Sequence, residues 1–447
     1  MVPLGLEVIA FFLVIITEED SRCYRLKDGI SMIPLKKFHS MRIPFGINMF
    51  VNVLIFATMF CVFLYWGQMD REHIFWAIQP IPLIVSLLFY VIYCRKCKMV
   101  FGVFEIFFLL FIVICLVSTL YAINASASLS PLKRICFFFF ICTLLHTYLS
   151  HERLLHLSFQ VLCASSVALS VYLLLHYGVH AFMVGLLAGK RMGGELINSN
   201  SIALSALYGV FICFWYAYYK KQIWHYVPML VCVVITLSTG SRKGLLGLAV
   251  GMCFLYVLQG QGKTRIRNII LLIGTLFLLY QILQLDMFLG TNRRFLTFTN
   301  FFTGQGEVDP STAIRMQMIQ AGFQAFGDSP LFGMGIGNGR FIARQAVHFD
   351  FYLHNNYIEL LCAVGLIGTM VYYFLWFYPL CYLAAPAWHK DGEACVLFTL
   401  LACSLILQVG AVQYDSFVAM FLLLMAHIKV EQLRREQNGN SGTTPKN

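Results

Sequence analysis

Charge is scarce in this chain. Only 12% of its 447 residues are charged and 59% are hydrophobic, where a soluble domain carries about 25% charged and about 45–50% apolar residues. That deficit excludes a soluble globular protein. Strict apolar–polar alternation is missing from the hydrophobic runs. This favours helices, which satisfy their backbone polar groups internally in lipid, over a β-barrel. The first stretch, VPLGLEVIAFFLVIIT, has no basic start and no clear small-residue cleavage site, so it reads as a span rather than a cleaved signal peptide. Paired CxxC motifs are also absent. Cys94 and Cys97 form a lone CRKC, and most of the 15 cysteines, such as Cys115, Cys232 and Cys403, lie inside apolar runs as small hydrophobes. Neither a disulfide framework nor a metal or redox centre is expected. No internal repeat is visible, which counts against an inverted-repeat transporter.

What the chain has is spans, each needing about 20 apolar residues. They are predicted at 2–17, 43–66, 74–93, 100–121, 132–149, 154–178, 200–219, 225–239, 243–258, 268–285, 355–383, 394–410 and 415–429. The connecting loops then alternate. The set 18–42, 94–99, 150–153, 220–224, 259–267, 384–393 and the tail from 429 carries 20 of the 32 Lys and Arg. That set is expected to be cytoplasmic, so the net charge of +11 reflects topology rather than nucleic-acid binding. The expected architecture is an all-α integral membrane protein of about 12–13 transmembrane helices with one long outer loop containing short helices. Its predicted parts are N-terminal helices over 1–285, the loop over 286–354, C-terminal helices over 355–429 and a polar tail over 430–447.

Loops as long as 286–354 are usually functional. In VDPSTAIRMQMIQAGFQAFGDSP, Asp309 suits an N-cap, Pro310 a first turn, and Gly327 with Pro330 an end. Ile314, Met318, Ala321 and Ala325 recur at helical spacing, predicting an amphipathic helix that lies over the outer membrane surface and carries Arg315. The loop holds five arginines, Arg293, Arg294, Arg315, Arg340 and Arg344, and no lysine. They read either as a solvated basic loop or as guanidinium forks for an anion such as pyrophosphate.

Four further stretches carry polar groups to the outer rim. STGSRKGLLG places Arg242 and Lys243 where two spans meet. Cations there are disfavoured by the topology rule and expensive near membrane depth, so Arg242 reads as functional while Lys243 can simply snorkel. GKRMGGELINSNSIA is a Gly-rich outer loop with Arg191 that enters a span through Asn198 and Asn200, which read as helix caps or as a polar lip for a sugar or phosphate. SPLFGMGIGNGRF has Gly at 333, 335, 337 and 339, a tight turn without the βαβ unit of a nucleotide site. HNNYIELLCAVGLIG opens a span with His354, Asn355 and Asn356. His354 is either a cap or a general base that nearby arginines keep neutral.

At these residues the chain resembles the O-antigen ligase and O-antigen polymerase superfamily. His354 and Asn355, nine residues to Val364, then Gly365 and Gly368 fit the ligase pattern without a gap. Ser241 to Gly244 is similar to the family's Ser-Arg-x-Gly, 198–203 to its Asn-x-Asn segment, and SPLFGMGIGN to its Pro-x-x-Gly-x-Gly turn. Ser199 stands where the family has Pro, and Ile319 stands one turn after Arg315 where it often has Trp. The resemblance implies a multi-pass bacterial inner-membrane glycosyltransferase with its site facing the periplasm. Its donor would be an undecaprenyl-pyrophosphate-linked glycan and its acceptor a sugar of lipid A–core or, in a polymerase, another lipid-linked repeat. Protein O-oligosaccharyltransferases belong to the same group. His354, Arg242 and Arg315 would be catalytic. Arg191, Asn198, Asn200, Ser241, Asn355 and Arg340 would bind substrate. No cofactor is implied, since the pyrophosphate already activates the donor, and the long loop has no D-x-D or clustered carboxylates for a divalent ion.

Overall fold

In the computed structural model of the protein the described residues are 47–65, 80–93, 98–152, 154–180, 184, 198–260, 263–283 and 310–441. The predicted span at 2–17, the CRKC cysteines, Arg191, Arg293, Arg294 and the Asp309 cap lie outside them. The described residues are overwhelmingly helical, with no strand among them. In chain order the helices are α1 (Ile47–Tyr65), α2 (Pro80–Tyr93), α3 (Val103–Ser118), α4 (Ala125–Glu152), α5 (Leu155–Tyr177), α6 (Ser199–Tyr218), α7 (Tyr226–Ser238), α8 (Arg242–Gln259) and α9 (Lys263–Leu283). Then follow α10 (Pro310–Asp328), α11 (Gly339–Val347), α12 (Asn356–Trp388), α13 (Gly392–Leu407) and α14 (Phe417–Ser441).

Among the described residues, four helices are long and apolar enough to cross a membrane, within α4, α5, α6 and α12, and five shorter helices are apolar as well. The chain is an all-α, multi-pass membrane protein. Its outward faces are as greasy as its interior: Ile81, Val85, Phe89 and Ile92 on α2 and Leu366, Met370 and Phe377 on α12 are exposed, as suits a bundle solvated by lipid. The interior joins α6 to α5 and α7, α12 to α3 and α13, and α8 to α13.

Three details differ from the sequence expectation. First, the apolar stripe of α10 does not cover a membrane surface. Met318 and Ala325 are buried with Ile342, Leu353, Ile358 and Cys362, so the stripe is consumed by α11 and the start of α12. Second, α14 runs beyond the expected end of its span to Ser441. An i,i+4 ion pair, Arg435–Glu431 at 3.3 Å, and the Arg434 guanidinium over the Tyr382 ring at 4.5 Å support this polar extension.

Third, α12 is broken. Gly365 has φ 65° and ψ −169° inside an otherwise helical run, in the region open to glycine. The glycine turn fills the break. Met334 and Gly335 donate backbone N–H to the Cys362 and Ala363 carbonyls (2.7 and 2.9 Å), and Leu366 N–H donates to the Pro330 carbonyl (2.8 Å). A Cβ on Gly365 would overlap the Leu331 carbonyl, and one on Gly333 would sit 2.6 Å from Gly365 N. The freed helix groups are therefore satisfied by another segment, as irregular backbone buried in a membrane bundle requires. The same turn reaches the α3–α4 connection. Asn338 accepts from Asn124 N–H at 2.9 Å and donates to Ser128 Oγ at 2.8 Å, while Ser118 Oγ accepts from Ile336 N–H at 3.0 Å.

Candidate active site

The break and the turn fix the height of the segment that carries His354. His354 lies just before α12 with φ 58°, a left-handed conformation unusual for a residue with a side chain. Its neighbours hold it there. Leu353 N–H donates to Glu359 Oε2 at 2.8 Å. Asn355 caps α12, its Oδ1 accepting from the N–H groups of Tyr357 and Ile358 at 3.0 and 3.2 Å. The imidazole is half-buried, 4.4 Å centroid to centroid from Tyr352 and 5.9 Å from Phe351. Its Nδ1 is buried and has no hydrogen-bond partner among the described residues. Burial, then the charges of Arg315 and Lys243, push its pKa down to about 4. A neutral ring that accepts a proton is what this environment maintains near pH 7.

Arg315 stands on the first turns of α10, half-buried. Arg242 is the first residue of α8, and Ser241 is its N-cap. The Ser241 hydroxyl accepts from Gly244 N–H at 3.3 Å and donates to Asn200 Oδ1 at 2.8 Å. Asn198 in turn caps α6, accepting from Asn200 N–H at 2.9 Å. A Cβ on Gly244 would lie 2.7 Å from Ala203 Cβ, so this glycine lets α8 cross close to α6. The Ser-Arg-Lys-Gly stretch thus combines a cap, two cations and a crossing point.

Below this rim lies a cavity of about 590 Å³, within the size range of small-molecule sites. Its lining includes Asn198, Asn200, Lys243, Arg340, Tyr352 and Glu359. Arg340 also pairs with Asp350 at 2.9 Å. Of the residues expected from the sequence, the structure sets the charge of Arg315 against His354 and places Asn198, Asn200 and Arg340 on the cavity, with Ser241 bonded to Asn200. Asn355 spends its side chain on capping α12. Arg191 lies outside the described residues.

Residues 227–373 match the family model of the O-antigen ligases. The match supports the O-antigen ligase superfamily, and the chain matches no curated protein. The matched stretch contains Arg242, Lys243, Arg315, the glycine turn, His354 and both glycines of the broken helix. Asn198 and Asn200 lie before it.

Sequence reasoning missed three residues in this stretch. Lys243 does not snorkel away: it lines the cavity, its charge reaches His354, and its aliphatic chain packs at Gly410. Glu359 holds the backbone beside His354. Asn356, fully buried, accepts from Gln413 and Tyr414 N–H at 2.8 and 3.0 Å and donates to Tyr373 Oη and Gln408 Oε1 at 3.0 and 2.9 Å. The available signal was polarity out of place. Asn356, Glu359, Gln408 and Gln413 interrupt apolar stretches, and a buried polar side chain demands partners.

Proposed function

We propose that this chain transfers a glycan from undecaprenyl pyrophosphate to a sugar hydroxyl of lipid A–core at the periplasmic face of the bacterial inner membrane, as an O-antigen ligase. The observation that carries the reading is the neutral, half-buried His354, which feels the charges of Arg315 and Lys243 and follows Tyr352, a residue that lines the same cavity as Lys243. His354 accepts the proton of the acceptor hydroxyl as that oxygen attacks the anomeric carbon. The new glycosidic bond forms as the bond from that carbon to the pyrophosphate oxygen breaks, with inversion. Arg242, Arg315 and Lys243 meet the negative charge gathering on the departing pyrophosphate, a preorganised field that acts where charge develops. The arginines suit a phosphate bidentately and lysine acts as a point charge. Asn198 and Asn200 line the approach, Ser241 holds Asn200 by a hydrogen bond, Arg340 faces it from α11, and the family resemblance adds Arg191 as a substrate-binding residue. Product that retained the anomeric configuration would sink the single-displacement scheme.

Deleting the gene in its host and resolving the surface glycolipid on a gel tests the assignment. Lipid A–core without added repeats, together with accumulated polyprenyl-linked polymer, is the result expected of a ligase. Core bearing a single repeat would instead make the chain a polymerase joining lipid-linked repeats. An unchanged ladder would remove the ligase reading. Restoring the gene as His354→Gln should leave the deletion phenotype in place.

A further inference from the structure

The cavity has two unlike walls. One comes from the matched residues and carries Lys243, together with Glu359 and the Asp350-paired Arg340. The other lies outside the matched residues, on α4 and on the connection between α13 and α14. There Arg134 donates from Nε at 3.1 Å and from Nη2 to Asp415 Oδ2, and from Nη1 to Ser130 Oγ at 3.0 Å. Both partners line the cavity and keep 28% and 21% of their side-chain surface open.

Stability does not account for this arrangement. A partly exposed ion pair contributes about 0–1 kcal/mol. Yet the pair is placed with care. Asn356 takes the N–H groups of Gln413 and Tyr414, immediately before Asp415, and so ties this wall to the residue two positions after His354. Nor does the pair suit a phosphate. Its charges cancel, and a carboxylate repels an anion. What it offers is directional hydrogen bonding without net charge. Asp415 Oδ1 receives no hydrogen bond among the described residues, and the guanidinium edge is already oriented. A carboxylate acceptor beside a fixed N–H donor matches vicinal hydroxyls, and the Tyr352 ring at the same cavity supplies an apolar face.

We propose that the Arg134–Asp415 pair is a saccharide subsite, which hydrogen-bonds the hydroxyls of an uncharged sugar ring and orients that ring toward His354. This rests on the glycan-transfer reading above. The division of labour is physical: Lys243 meets pyrophosphate, and the balanced Arg134–Asp415 pair takes sugar. A sugar of the donor and a sugar of the acceptor present the same chemistry.

The test measures binding to the purified full-length protein in detergent. The probes are bare undecaprenyl pyrophosphate, the host's own lipid-linked saccharide, and its lipid A–core. Asp415→Asn should weaken a saccharide-bearing probe by about tenfold, the loss of one charge-assisted hydrogen bond, and leave bare undecaprenyl pyrophosphate unchanged or tighter. A loss confined to the lipid-linked saccharide makes the subsite the donor's, and a loss confined to lipid A–core makes it the acceptor's. Unchanged binding of both saccharides overturns the proposal, as does an equal loss for the bare lipid. If Asp415→Asn fails to accumulate, Ser130→Ala decides, since it removes only the Nη1 contact. A weakening of about threefold for a saccharide probe alone supports the subsite, and no change overturns it. Wild-type protein that binds none of the three probes refutes the transfer reading itself.

Discussion

Replacing Asn356 by Ala removes four hydrogen bonds from a site with no solvent exposure. The two sides of the residue are not equivalent. On the donor side the loss is small, because Tyr373 Oη donates to Gln408 Oε1 at 2.9 Å and keeps that contact. On the acceptor side the N–H groups of Gln413 and Tyr414 lose their acceptor in a buried place. Each such orphan costs about 1–3 kcal/mol, so the substitution should destabilise the protein by about 2–6 kcal/mol. Tyr373→Phe is the control. It deletes one hydroxyl, leaves both N–H groups bonded, and should cost about 1 kcal/mol. Thermal unfolding of the detergent-purified variants, followed by fluorescence, should rank wild type, Tyr373→Phe and Asn356→Ala in that order, with the last several degrees below the others. Glycan transfer should fall as well, since the connection that carries Asp415 is released. Equal midpoints for Asn356→Ala and Tyr373→Phe would refute the idea that Asn356 anchors that connection.

Other outcomes follow from the same geometry. Because burial and the charges of Arg315 and Lys243 hold His354 down to about 4, the acid limb of kcat/KM should fall near pH 4 rather than near 6.5, and Lys243→Met should move it upward; a limb that stays put in that variant would disprove the electrostatic contact. The same shift has a stability sign: below about pH 6.5 the unfolded chain takes up a proton that folded His354 refuses, so folding stability should decline as pH falls toward 4. Arg242→Lys should lose about tenfold or more of transfer rate, because a point charge does not replace a bidentate fork, and near-normal rates would end the pyrophosphate role of this residue. Gly365→Ala combines overlap at the Leu331 carbonyl with a left-handed strain of about 1–3 kcal/mol, and detergent extraction of membranes should recover markedly less folded protein than from wild type.

The described helical spans were legible because apolar composition and length act locally, but the overrun of α14 and the break in α12 were not. The α10 stripe of Met318 and Ala325 was legible for the same reason, but its destination was not: helical spacing says which face is apolar, not whether lipid or protein covers it. The histidine and two arginines stood out in the sequence as candidates because polar groups at a bilayer rim are few, and the structure sets the charge of Arg315 against His354. Lys243 was misjudged, since a lysine's long stem makes snorkelling and cavity lining look alike in one dimension. Arg134 and Asp415 were invisible as a pair. They are separated by 281 positions, and nothing local in either stretch marks the contact. Asn356 stood in plain sight within the motif, yet its partners Gln408 and Gln413 come from the far side of α12.

The seating of the glycine turn also orders events during synthesis. Its ledge, the carbonyls of Cys362 and Ala363 and the kink at Gly365, is translated after the turn itself and exists only once α12 has entered the bilayer. Asp415 comes later still. A nascent chain therefore carries α10, α11 and His354 unseated while the ribosome works through the closing spans. The arrangement around His354 is therefore completed late in membrane insertion, once α12 and the connection that carries Asp415 are in place.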